Sequence, residues 1–197
     1  MNLRFSRTIL ETLFLLFASI WLLGLFSLVG LILYQDYTIV YSISVAICLI
    51  VFPWLTMWFI DVRQNKRLAA SFKYSKSLFI ASIIIVSLLN YLVNRLDLVA
   101  FTSIVIKYSI VALGEELLFR YYIQNQLEKQ FSILGATILQ AVLFAFILHS
   151  GFPILLNLMI RVPSGIILTY LFKKSNNLPL VIAIHFLYNA IIHIMWL

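Results

Sequence analysis

The amino-acid sequence predicts an all-α, polytopic membrane bundle of about seven transmembrane segments. Three observations carry that prediction. Of 197 residues, 63% are hydrophobic and only 11% charged, against roughly 25% charged in a soluble domain, which leaves too few polar side chains to cover a water-exposed surface. Mean hydropathy is +1.06. Charge-free runs recur at close to the roughly 20 residues a helix needs to cross hydrocarbon, and no repeat, low-complexity tract or Pro/Gly-rich linker interrupts them. The chain therefore reads as one membrane domain, 1–197. A secreted disulfide scaffold, a disordered regulator and a soluble nucleic-acid binder are set aside, despite a net charge of +7.

The first run, Thr12 to Tyr34, exceeds the apolar core of a signal peptide, lacks a small-residue cleavage site and precedes further spans, so it is expected to stay in the protein. The second, Tyr37 to Ile60, holds the lone Cys48, which has no thiol partner and reads as a small packed hydrophobe. The longest polar loop, Asp61 to Lys76, carries Arg63, Lys66, Arg67, Lys73 and Lys76, five of the fourteen basic residues. The connection at Gln35 and Asp36 carries none. Positive-inside bias places that loop and the N-terminus, with Arg4 and Arg7, in the cytoplasm of a cell-membrane protein. The loop is a topology anchor that touches anionic lipid and is too short a patch for nucleic acid.

The third run is Ser77 to Asn94, and a fourth segment begins near Leu98 with Lys107, Glu115, Glu116 and Arg120 inside it. The fifth is Gln130 to Leu148. A sixth, Ile154 to Phe172, must tolerate Arg161, and a seventh, Leu180 to Leu197, contains His185, Asn189 and His193. Snorkelling, a kink or packing accounts for Lys107, Arg161 and Pro163. His193 is read as structural, its ring nitrogen meeting a neighbouring helix.

A charged side chain at mid-bilayer costs roughly 2.5 to 3.5 kcal/mol, so Glu115, Glu116 and Arg120 together cost about 8 to 10 if unpaired. Glu116 and Arg120 are four apart and pair on one helix face. Glu115 lies about 100° round the helix and is not served by that pair. A carboxyl without a countercharge in a low-dielectric site is how proteins poise a base near neutral pH, which makes Glu115 the candidate base. The alternative is one ion network of all three that fixes helix packing. His185 and Asn189, also four apart, can present two donors to one point, as a developing oxyanion requires. The alternative there is an interhelical hydrogen-bond pair worth about 1 kcal/mol.

Gly114-Glu115-Glu116-Leu117-Leu118-Phe119-Arg120 reproduces a Glu-Glu-x-x-x-Arg box, and His185-Phe186-Leu187-Tyr188-Asn189 a His-x-x-x-Asn box. With these the chain resembles the CPBP intramembrane metalloprotease family, also called the CAAX protease and bacteriocin-processing or Abi family. The resemblance covers about 98–197, a protease-like core after the N-terminal segments of 1–97. The family's middle box is Phe-x-x-x-His, whereas His149 has Ala145 where the Phe belongs, flanked by Phe144 and Phe146.

The resemblance implies peptide-bond hydrolysis in an intramembrane catalytic cavity. Glu115 would activate water, His149 would help hold it, and His185 and Asn189 would stabilise the oxyanion. Glu116 and Arg120 would support the geometry. Glu115 with two histidines could hold zinc through three ligands, but no His-Glu-x-x-His pair supplies two from one helical turn, so a cofactor-free glutamate mechanism is favoured.

Expected partners are membrane lipid and a peptide or small protein substrate, such as a peptide with a removable leader. Nothing in the residues points to a prenylated substrate. The alternative function is a non-catalytic membrane immunity or binding protein against a bacteriocin-like peptide. A transporter would call for paired broken helices in two repeats, which the sequence lacks. One tension remains in the depths: Glu115 comes about 17 residues, roughly 25 Å, into its segment, yet His149 at the end of segment five should approach the opposite face. Either helix five tilts or stops early, or Gln124 to Gln130 dips inward.

Overall fold

Among the described residues seven long helices follow one another: α1 (Leu3–Tyr34), α2 (Tyr37–Ile60), α3 (Lys76–Val93), α4 (Leu98–Leu127), α5 (Ile133–Leu148), α6 (Ile154–Ser175) and α7 (Leu178–Trp196). This computed structural model describes residues 3–34, 36–60, 68, 72, 76–93 and 96–196, without the side chains of 3–6, 76 and 196. Among the described residues there is no strand. Arg63, Lys66, Arg67 and Lys73 of the basic loop, Gln35, and the side chains of Arg4 and Lys76 lie outside what is described. Each of the four charge-free runs and three polar-bearing segments maps onto one of these helices, with Gln130 to Ser132 ahead of α5 and Asn94 and Leu197 outside the described residues.

Local chemistry sets the helix boundaries. Asp36 accepts from the Ile39 amide at 3.1 Å, Asp97 from that of Ala100 at 2.8 Å and Ser132 from that of Gly135 at 3.2 Å, each satisfying an otherwise unpaired first-turn donor. The Ser132 cap explains why α5 starts at Ile133 rather than at Gln130. Asn176, at φ 48°, ends α6 in the left-handed conformation, which Asn tolerates better than most residues. Asn177 then caps α7 by accepting from Leu180 N at 3.2 Å.

Five helices, α1, α2, α4, α6 and α7, are long and apolar enough to cross a membrane, while α3 and α5 are shorter apolar helices. The exterior suits lipid: Phe14, Trp21, Ile32, Trp54, Trp58 and Phe59 are all exposed. Glu115, Glu116, Arg120 and His185 are buried instead, within an otherwise apolar core, which keeps their charge away from hydrocarbon. Cys48 is free and buried, packed as a hydrophobe.

Four helices widen locally into π-helical turns, at Ala46–Val51, Leu117–Ile123, Phe144–Leu148 and Asn157–Arg161. Such turns leave one residue per turn out of α register and concentrate at functional sites. The one in α4, Leu117–Ile123, is buried at every position and touches α1, α2, α5, α6 and α7. It is the hub of the bundle. Just before it, a Cβ on Gly114 would stand 2.9 Å from Leu49 Cβ in the π-turn of α2, so only glycine lets the two helices approach this closely.

Candidate active site

At the C-terminal end of the regular part of α4 the two acids part company. Glu116 is fully buried; its Oε1 receives a hydrogen bond from His185 Nδ1 at 2.6 Å, and its Oε2 lies 3.0 Å from Arg120 Nε. The Arg120 contact is an ion pair by distance rather than an aligned hydrogen bond. Its guanidinium, also fully buried, stands 4.2 Å over the Phe144 ring, a cation–π contact that strengthens where water is excluded. Glu116 therefore serves two partners, Arg120 on its own helix and His185 on α7.

Glu115, one residue earlier, turns to a cavity of about 610 Å³. Its Oε2 is 3.6 Å from His185 Nε2 and 3.9 Å from His149 Nε2, beyond direct hydrogen-bond reach. Asn189 lines the same cavity and makes no side-chain hydrogen bond to a described residue. The six residues singled out in the sequence thus meet at one place, with Asn189 on the wall rather than in the bonded cluster.

The depth tension resolves in the length of α4. The helix runs twelve residues past Glu115 to Leu127, about 18 Å, and α5 returns sixteen residues from Ile133 to His149, about 24 Å. The ring therefore comes back to the level of Glu115. Helix five ends there: His149 leaves helical geometry at φ −109°, ψ 34°, and its carbonyl accepts from Phe152 N and from Asn157 Nδ2, both at 3.1 Å. Phe144 and Phe152 hold the imidazole edge-on, with centroids at 4.9 and 5.8 Å.

Phe144 also answers the irregular middle box. Counting four residues back from His149 gives Ala145, but the intervening turn, Phe144–Leu148, is π-helical, so the residue five back takes the place on the His149 side. The Phe144 ring touches Phe119 at 5.2 Å and His185 at 6.4 Å besides His149 and Arg120. Only the flanking phenylalanines hinted at it in the sequence.

The bond from His185 Nδ1 to Glu116 constrains the ring's protons. With Nδ1–H donating, a neutral His185 presents Nε2 as an acceptor, and Nε2 donates only when the ring carries both protons. Lys107 and Arg161, explained from sequence alone by snorkelling, a kink or packing, and His193, read as structural, also line the cavity. His193 Nδ1 does meet a neighbouring helix, lying 3.1 Å from Tyr108 Oη on α4. Among the described residues no group of three or more His, Cys, Asp or Glu is placed to hold a metal ion. The carboxylate-to-nitrogen distances of 3.6 and 3.9 Å exceed the about 3.3 Å edge of a tetrahedral zinc site with bonds of about 2.0–2.1 Å.

A family model described as type II CAAX prenyl endopeptidase Rce1-like matches residues 77–191. No curated protein and no solved structure matches the chain.

Proposed function

Because the chain belongs to the Rce1-like family of type II CAAX prenyl endopeptidases, a family of CAAX-protease-like peptidases, and is a multi-pass membrane protein, we propose that it hydrolyses a peptide bond of a small peptide or membrane-associated substrate within the bundle, using water activated by Glu115. The observation that carries the reading is the division of labour between adjacent acids: Glu115 faces the cavity with two imidazole rings beside it, while Glu116 is spent on His185 and Arg120.

In the proposed reaction a water lies within hydrogen-bond reach of the Glu115 carboxylate and His149 Nε2, which separations of this size permit. Glu115 takes one proton as the water oxygen bonds to the scissile carbonyl carbon. The oxyanion accepts from His185 Nε2–H, whose ring carries both protons with Nδ1–H on Glu116, and from the Asn189 amide. Collapse breaks the C–N bond, and Glu115 passes its proton to the leaving nitrogen. The second proton of the water stays with the new carboxyl group. No metal enters any step.

A prenylated CAAX peptide, the substrate class in the family's name, is the first probe, followed by leader-bearing peptides. In proteoliposomes the wild type is expected to cleave a member of this panel, and Glu115→Gln to remain folded and inserted while losing cleavage. An active, correctly inserted Gln variant sinks the mechanism. Exhaustive chelation is expected to leave turnover unchanged; loss restored specifically by zinc would overturn the metal-free step.

A further inference from the structure

The cavity wall carries one acid, Glu115, and two basic side chains, Lys107 and Arg161. The cations are held differently. The Lys107 ammonium lies 5.5 to 5.8 Å from the ring centroids of Tyr37, Tyr41 and Tyr108, so ring faces meet its charge. Arg161 ends the π-turn of α6; its Nη1 donates to Asn157 Oδ1 at 3.1 Å, and its guanidinium carbon stands 3.9 Å over the Phe152 ring. Among the described residues no carboxylate comes within ion-pair distance of it.

A ring beneath a guanidinium occupies its face, whereas the five N–H groups radiate from its edge. One of the five is used here, and the side chain lines the cavity. Asn157, 1% exposed, also donates to the His149 carbonyl. The guanidinium is thereby indexed to the backbone of a residue beside Glu115. An Arg with an open donor edge on a cavity wall suits a planar anion that accepts two parallel bonds.

We propose that Arg161 is a specificity-determining residue that binds a carboxylate of the peptide substrate, within a few residues of the scissile bond. This rests on the endopeptidase reading and names the substrate class for it. The carboxylate belongs either to an acidic side chain or to the free C-terminus of the peptide.

Four fluorescent farnesyl-cysteine peptides of one length serve as probes, crossing a free or amidated C-terminus with Glu or Gln among the last three residues. Binding is measured by anisotropy to protein in nanodiscs, separately from cleavage. The wild type is expected to favour one acid over its neutral counterpart by about tenfold or more, and whichever pair differs identifies the source. Arg161→Gln removes that preference, and Arg161→Lys, which keeps charge without the fork, restores only part of it. The proposal is overturned if the wild type does not distinguish acid from neutral peptide, including by binding neither, or if the preference survives in Arg161→Gln. Acid-selective binding without cleavage of any probe would retain Arg161 and count against the endopeptidase reading.

Discussion

Glu115 and Glu116 are neighbours with the same chemistry, yet the fold sends one to a cavity and the other into the interior. The interior carboxylate is fully committed, to a histidine on α7 and to an arginine one turn along. Its neighbour has no hydrogen bond from the described rings, which stand 3.6 and 3.9 Å away. A group already bonded stabilises structure, whereas one held near potential partners without being bonded is available to a substrate or a water. About 100° of helix rotation separates these roles.

Removing the two acids in turn should separate catalysis from stability. Glu115→Gln is expected to lose at least the 10²–10⁴-fold contribution of a positioned base with little change in thermal unfolding, read by turnover beside a melting curve in detergent. Glu116→Gln strands the buried Arg120 charge and should destabilise the protein by about 3 to 5 kcal/mol, visible as a lower melting temperature even without substrate. If Glu116→Gln melts like the wild type while Glu115→Gln does not, the assignment of the two sides is reversed. On the cavity side, Asn189→Ala should cost about 10²–10³-fold in kcat as a lost oxyanion donor; unchanged kcat would remove Asn189 from the chemistry. The smallest effect belongs to the boundary between the sides. Phe144→Leu forfeits a cation–π contact worth about 0.5 to 2 kcal/mol, so a melting temperature lower by a few degrees and a several-fold loss of turnover are expected, and no change in either would make the ring mere filler.

Much of this division was legible in the sequence because the relevant pairs are four residues apart. Glu116 with Arg120, and His185 with Asn189, share a helix face wherever their helices are placed. The level of His149 was not legible, since it depends on how far α4 continues past Glu115 and where Ser132 restarts the chain. Phe144 escaped because spacing was counted in α-helical turns where the backbone makes a π-turn. Lys107 and Arg161 escaped for another reason: helices apolar on nearly every side do not encode which side faces a cavity, so a lone cation on one of them looks the same pointing outward or inward.

The π-turn hub also bears on how the protein can change over evolutionary time. Seven successive residues, Leu117–Ile123, are buried and together meet five other helices, and Gly114 just before them admits no side chain without displacing Leu49. A single insertion or deletion there would rotate the two acids relative to α7 and open contacts on several sides at once. The lipid-facing sides of α1 and α3 carry no such constraint and can drift among apolar residues. Variation should therefore accumulate at the periphery, leaving a short, nearly immutable stretch at the centre that is inherited as one unit.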